Sequence, residues 1–202
     1  MESSDDSPGC THLVSASRDH SVKFWEFDTG FCVHTSNDHS DWVRCLAVKQ
    51  DGSMLASSGN DTYINISHAT GERKLVCQLR GHEHVIESLS FINMQKPSQQ
   101  KGSHARRIEE VEDYLVSGSR DRSVRLWSIS GANCIATFSF HENWVRSVIL
   151  HPSGNYIISA SDDRSIRVID IKVRSLLFLS LIIYQKVSNA FHFLCMISLN
   201  FY

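Results

Sequence analysis

VSGSRDRSVRLW fills residues 116–127, and VSASRDHSVKFW fills residues 14–25. Two further stretches fit the same frame, ASSGNDTYINIS at 56–67 and ISASDDRSIRVI at 158–169. Their successive offsets are 42, 60 and 42 residues. A second motif precedes the last three: DHSDWVRCLAV at 38–48, GHEHVIESLSF at 81–91 and FHENWVRSVIL at 140–150. The chain is therefore periodic at about 42 residues, and one unit carries an insertion at 96–113. That insertion, KPSQQKGSHARRIEEVED, is polar and reads as a surface loop.

Inside each unit the apolar residues alternate with period two. SVRLW, CIATFSF, WVRSVIL and YIISAS read as short strands. Polar turns such as DGS at 51–53 and PSGN at 152–155 separate them. No long stretch keeps a helical period. Four short strands in about 42 residues, with GH and WD-like marks, predict a propeller blade. The expected fold is all-β, a partial WD40 β-propeller with two full four-stranded blades flanked by two incomplete ones. Residues 1–11 form a polar N-terminal segment with no signal-peptide character, 12–171 the propeller, and 172–202 an apolar tail without repeat marks.

The marks have a physical task. In such a blade a His from the loop before the inner strand bonds a Ser on the next strand, and an Asp in the following turn and a Trp on the third strand complete the chain. A hydrogen-bonded set of this kind, once buried, holds a blade in one arrangement. The fullest set here is His82, Ser117 or Ser119, Asp121 and Trp127. His39 and Asp61 have Ser67 at the Trp position, His141 and Asp163 have Ile169, and Asp19 and Trp25 lack the His.

Recurring Ser, His and Asp invite a hydrolase reading. Against it, the chain holds no GxSxG elbow, and the trio recurs in unit after unit, whereas an active site needs to be made once. There is no GxGxxG, P-loop or HExxH. His82–Glu83–His84 is a weak metal signal without further ligands. No catalytic residue, metal or cofactor is assigned. The six cysteines include no CxxC and read as buried reduced thiols of a cytosolic protein. A net charge of −2 gives no general pull toward nucleic acid or membrane.

A binding scaffold remains. Propeller function sits in the turns at the blade ends. Residues beside the structural Asp and just after the His share one face. That places Arg18, Arg120, Arg122 and Arg164 there with Trp42 and Trp144. Exposed Trp flanked by Arg is the composition of a protein-binding hot spot.

SASRD…VKFWE…TGFCV, H-x-DWVR, SGSRD…LW…HENWVR and SASDDRSIRV, in that order, resemble the lissencephaly family of WD-repeat dynein regulators over residues 12–171. Members also serve as the non-catalytic subunit of a platelet-activating factor acetylhydrolase. The resemblance implies binding to the cytoplasmic dynein motor domain and its adaptors, and to acetylhydrolase catalytic subunits. It also implies a cytoplasmic, microtubule-associated and centrosomal place, with roles in transport, nuclear migration and spindle positioning. The positions matching the family's motor-contacting residues are Arg18, Arg120, Trp144 and Arg164. Ser40 stands where the family carries an Arg. Another WD-repeat adaptor, a ubiquitin-ligase substrate receptor or an RNA-processing subunit, is the alternative. The family's dimerisation motif and coiled coil are not found in this chain.

The tail after 171 has no Asp, no Glu and no repeat mark. It reads as compatible with translated intron, and the last unit is expected to stop at three strands. Its apolar run at 176–183 is shorter than the ~20 residues that a membrane span needs.

Overall fold

The computed structural model describes residues 11–92, 113–151 and 153–177. The described residues form fifteen strands. They are β1 (His12–Ala16), β2 (Val22–Glu26), β3 (Cys32–Ser36), β4 (Val43–Val48), β5 (Met54–Gly59), β6 (Ile64–His68), β7 (Leu75–Leu79) and β8 (Ile86–Ile92). Then follow β9 (Tyr114–Ser119), β10 (Val124–Ser128), β11 (Asn133–Phe138), β12 (Val145–Leu150), β13 (Tyr156–Ser161), β14 (Ile166–Asp170) and β15 (Ser175–Leu177). Neighbours in sequence pair antiparallel, giving four sheets in chain order: β1-β2-β3, β4-β5-β6-β7, β8-β9-β10-β11 and β12-β13-β14-β15. The fold class is the expected one, an all-β partial propeller.

One detail differs. The last sheet has a fourth strand, β15, drawn from residues assigned by sequence to the tail. Val168 pairs with Leu177 and Asp170 with Ser175. An edge strand is recruited through its backbone, so it needs no repeat mark. Three sheets therefore have four strands, and the first has three. The N-terminal segment before Thr11, the insertion up to Glu112 and the tail beyond Leu177 lie outside the described residues.

Each dodecamer is a strand, a tight turn and a strand. The turn corner adopts a left-handed conformation at His20, Thr62, Arg122 and Arg164, with φ of 67–71°. The residue before each corner is Asp, and its carboxylate accepts the N–H two residues on, from Ser21, Ser123 and Ser165 at 2.9 Å and from Tyr63 at 3.4 Å. This local bond supports a corner that a non-glycine residue otherwise avoids.

The sheets stack face to face. Strand residues alternate between two neighbours, so both faces of a middle strand are apolar. In β5, Leu55 packs with Val22, Phe24 and Val43, and the next residue, Ala56, with Ile86, Leu89 and Trp127. Between the third and fourth sheets lie Val116, Leu126, Phe138, Val148 and Ile169. Close approach there demands glycine: a Cβ on Gly118 would stand 2.8 Å from Val148 and 2.9 Å from Val145. Ser88 ties the same pair of sheets, its Oγ accepting the Val148 N–H at 3.1 Å.

The inner strands β4, β8 and β12 lie side by side. Each pairs with its neighbour through a bulge at one place. The register skips Arg44 between Val43 and Cys45, Glu87 between Ile86 and Ser88, and Arg146 between Val145 and Ser147. An unpaired bulge residue is re-aimed relative to the pleat.

Of the four cysteines described, Cys32 is exposed and Cys45, Cys77 and Cys134 are half-buried; all are free thiols. The expectation of burial fails for Cys32 and is met only in part by Cys77 and Cys134, because these three sit on the outer strands β3, β7 and β11. Burial and the nearby Glu87 charge push the Cys45 thiol well above its usual range.

Candidate partner-binding face

The three His-bearing loops make the same bonds. Nδ1 of His39, His82 and His141 lies 2.7, 2.6 and 2.8 Å from a carboxylate oxygen of Asp61, Asp121 and Asp163. Nε2 lies 2.8, 2.6 and 2.8 Å from Oγ of Ser57, Ser117 and Ser159. The carboxylate fixes the imidazole proton on Nδ1, so Nε2 accepts the Ser hydroxyl. In the third sheet the Trp127 indole N–H donates to Ser117 Oγ at 2.8 Å, completing the chain. Ser119, the other candidate, donates instead to the Val85 carbonyl at 2.9 Å. In the first sheet Trp25 donates to Ser15 at 2.9 Å. There, Asp19 caps its own turn through Ser21.

Burial lowers the pKa of His82 and His141, and the partner aspartates offset this only in part. Burial pushes the two aspartates up, but bonds from the His and the turn serine outweigh it. Asp121 is held below its usual range and Asp163 at about 2. The atoms are ordered as in a hydrolase triad, yet Ser117 and Ser159 are 0 % exposed. A nucleophile that substrate cannot reach is a structural hydroxyl. His82 has both ring nitrogens engaged, and His84 Nδ1 accepts the Val85 N–H at 2.7 Å.

These bonds place the loops and turns at one end of the sheets. There, the arginine before a structural Asp reaches the next sheet's Trp. The Arg18 guanidinium lies 4.6 Å from the Trp42 ring centre and Arg120 lies 4.5 Å from that of Trp144. The bulge arginines add to the same rings, Arg44 at 5.8 Å and Arg146 at 4.8 Å. Between the two clusters stands Glu87, whose Oε1 accepts Arg120 Nε–H at 2.5 Å. Arg146 lies 3.3 Å and Arg44 3.9 Å from the same oxygen. Arg146 also meets Asp162 at 2.8 Å.

Arg18, Trp42, Arg120 and Trp144 are thus brought together in pairs. Arg164 is not part of a pair. It occupies the exposed corner after Asp163, the place of Arg122, whereas Asp162 takes the place of Arg18 and Arg120. Ser40 donates its backbone N–H to Asp61 at 3.3 Å. Arg44, Arg146 and Glu87 were missed, and the register shared by DWVR, HVIE and NWVR is the signal that marks them.

The family described as WD domain, G-beta repeat matches residues 3–26, 30–66, 102–128 and 132–170. The chain belongs to the WD40 repeat family. Among curated relatives, the nuclear distribution protein PAC1-2 of Uncinocarpus reesii is 38% identical over 165 residues, covering 79% of this chain and 35% of that protein. Nuclear distribution protein nudF 1 of Talaromyces marneffei is 38% identical over 176 residues, covering 81% and 37%. Nuclear distribution protein PAC1 of Gibberella zeae is 39% identical over 171 residues, covering 79% and 35%. The chain spans about a third of the length of these relatives. The matched segments 30–66 and 132–170 begin with the outer strand of one sheet and continue into the inner three of the next.

Proposed function

We propose that this chain is part of a non-enzymatic scaffold whose Arg–Trp face engages the cytoplasmic dynein motor domain. The relatives' role in nuclear distribution supports a place in microtubule-based transport, nuclear migration and spindle positioning. It also supports a cytoplasmic, cytoskeletal and centrosomal location. Dynein adaptors and acetylhydrolase catalytic subunits are the further partners. The observation that carries the reading is the pairing of Arg18 with Trp42 and Arg120 with Trp144, each across a sheet boundary. Stacked cations hold an aromatic ring in place without removing it from contact, which suits a surface anchor.

The test is capture of purified dynein motor domain. Wild-type chain is expected to bind, and Arg120→Ala with Trp144→Ala to lose at least tenfold, on the order of 1.4 kcal/mol or more. Equal capture by both, or none by the wild type, overturns the reading. Esterase activity abolished by Ser117→Ala would overturn the non-enzymatic part.

A further inference from the structure

The three inner strands carry one bulge residue each at the same register, Arg44, Glu87 and Arg146. Two are basic and the middle one is acidic. A bulge frees its side chain from the pleat, so all three are available to the same end of the stack. The Glu87 carboxylate uses this freedom to gather guanidinium groups from three consecutive sheets: Arg44 from β4, Arg120 from the turn after β9 and Arg146 from β12. Two of them, Arg120 and Arg146, lie within 5 Å of the Trp144 ring centre.

Two cations held this close to one ring repel each other. Both guanidinium groups also reach one carboxylate oxygen, so the like charges stand near each other as well as near the ring. The ring alone cannot hold both. A shared carboxylate can. Glu87 is itself well covered, its side chain 13% exposed, so water competes weakly for it.

We propose that Glu87 is the positioning residue of the partner-binding face: it holds Arg120, and together with Asp162 holds Arg146, on Trp144 and presents the three as one preformed unit. It touches the partner only through them. The claim about binding rests on the function proposed above; the claim about positioning does not. The expected consequence is preorganisation, which lowers the cost of ordering long side chains on binding.

Two measurements separate these claims. In the first, without partner, the Arg120 Nε–H resonance is followed by NMR in the wild type and in Glu87→Gln. The wild-type proton is expected to exchange slowly and to show the Trp144 ring-current shift, and the variant to lose both. An unchanged resonance overturns the proposal. Glu87→Asp, which keeps the charge but shortens the reach, is expected to fall between, and it serves if the Gln variant does not fold. In the second, motor-domain binding is measured in a double-mutant cycle with Trp144→Ala. Glu87→Gln is expected to weaken wild-type binding about tenfold and to add little on the Trp144→Ala background. Equal losses on both backgrounds overturn the role through Trp144. If the wild type fails to bind the motor while the NMR result stands, the partner is wrong and the positioning is right.

Discussion

Single residues decide how each sheet is locked. Ser117 Oγ serves two buried partners at once, the His82 imidazole and the Trp127 indole. Ser117→Ala leaves His82 Nε2 and the Trp127 indole N–H without a partner and is expected to cost about 3 kcal/mol, read as a lowered denaturant midpoint. Ser159→Ala takes the partner of His141 Nε2 alone, with no Trp at the Ile169 position, and is expected to cost about half as much. The histidines also set the acid response. Folded His82 and His141 titrate below the ordinary 6.5, so the unfolded chain binds more protons as pH falls. Stability is fully present above pH 6.5 and declines as pH drops from there toward the folded values. The aspartates add a further loss only below about pH 3.8. Melting temperature is expected to fall between pH 7 and 5.5, and less steeply in His141→Gln. His and Asp were legible in the sequence because they repeat. Ser117 could be told from Ser119 only by geometry, as both stand on β9 two residues apart.

At the level of strands and turns, backbone geometry carries what side-chain patterns hide. Gly118 and Ser58 hold the same register position in neighbouring sheets, opposite Val124 and Ile64. Gly118→Ala presses a methyl into Val145 and Val148 and is expected to cost about 1–3 kcal/mol in chemical denaturation. Ser58 Oγ is buried without a hydrogen-bond partner. Ser58→Ala removes that orphan hydroxyl and is expected to raise stability by about 1 kcal/mol. A fall in either melting or denaturant midpoint would contradict it. Strand alternation made β1–β14 readable. It could not reveal β15, which joins by backbone pairing alone, nor the bulges, which differ from regular pairing by one skipped residue. The Arg–Trp pairs were half visible. Their members appear in separate units, and only sheet stacking shows that an arginine of one unit meets the tryptophan of the next.

Across the whole molecule, stability comes from what lies between sheets. The apolar clusters each join two neighbouring sheets, apart from a small one within the fourth sheet, of Ile158, Ala160 and Ile166. The proposed binding face also lies between sheets, in two Arg–Trp clusters and the carboxylate that separates them. Raising salt should therefore weaken motor binding, and the loss is expected to be shallower for Arg18→Gln with Arg120→Gln, which carries fewer charges to screen. An equal salt slope in a titration of both would argue against this. The unit of sequence begins on the outer strand of one sheet and ends on the third strand of the next, so inheritance and architecture are out of phase. Copying one unit adds no self-contained blade. It splices a new segment across two, and each copy is born already stitched to its neighbours. A lineage can then lengthen or shorten the array only at joints where both halves of a sheet still recognise each other. That requirement falls on the pairing strands and not on the corners between them, such as the exposed one at Arg122.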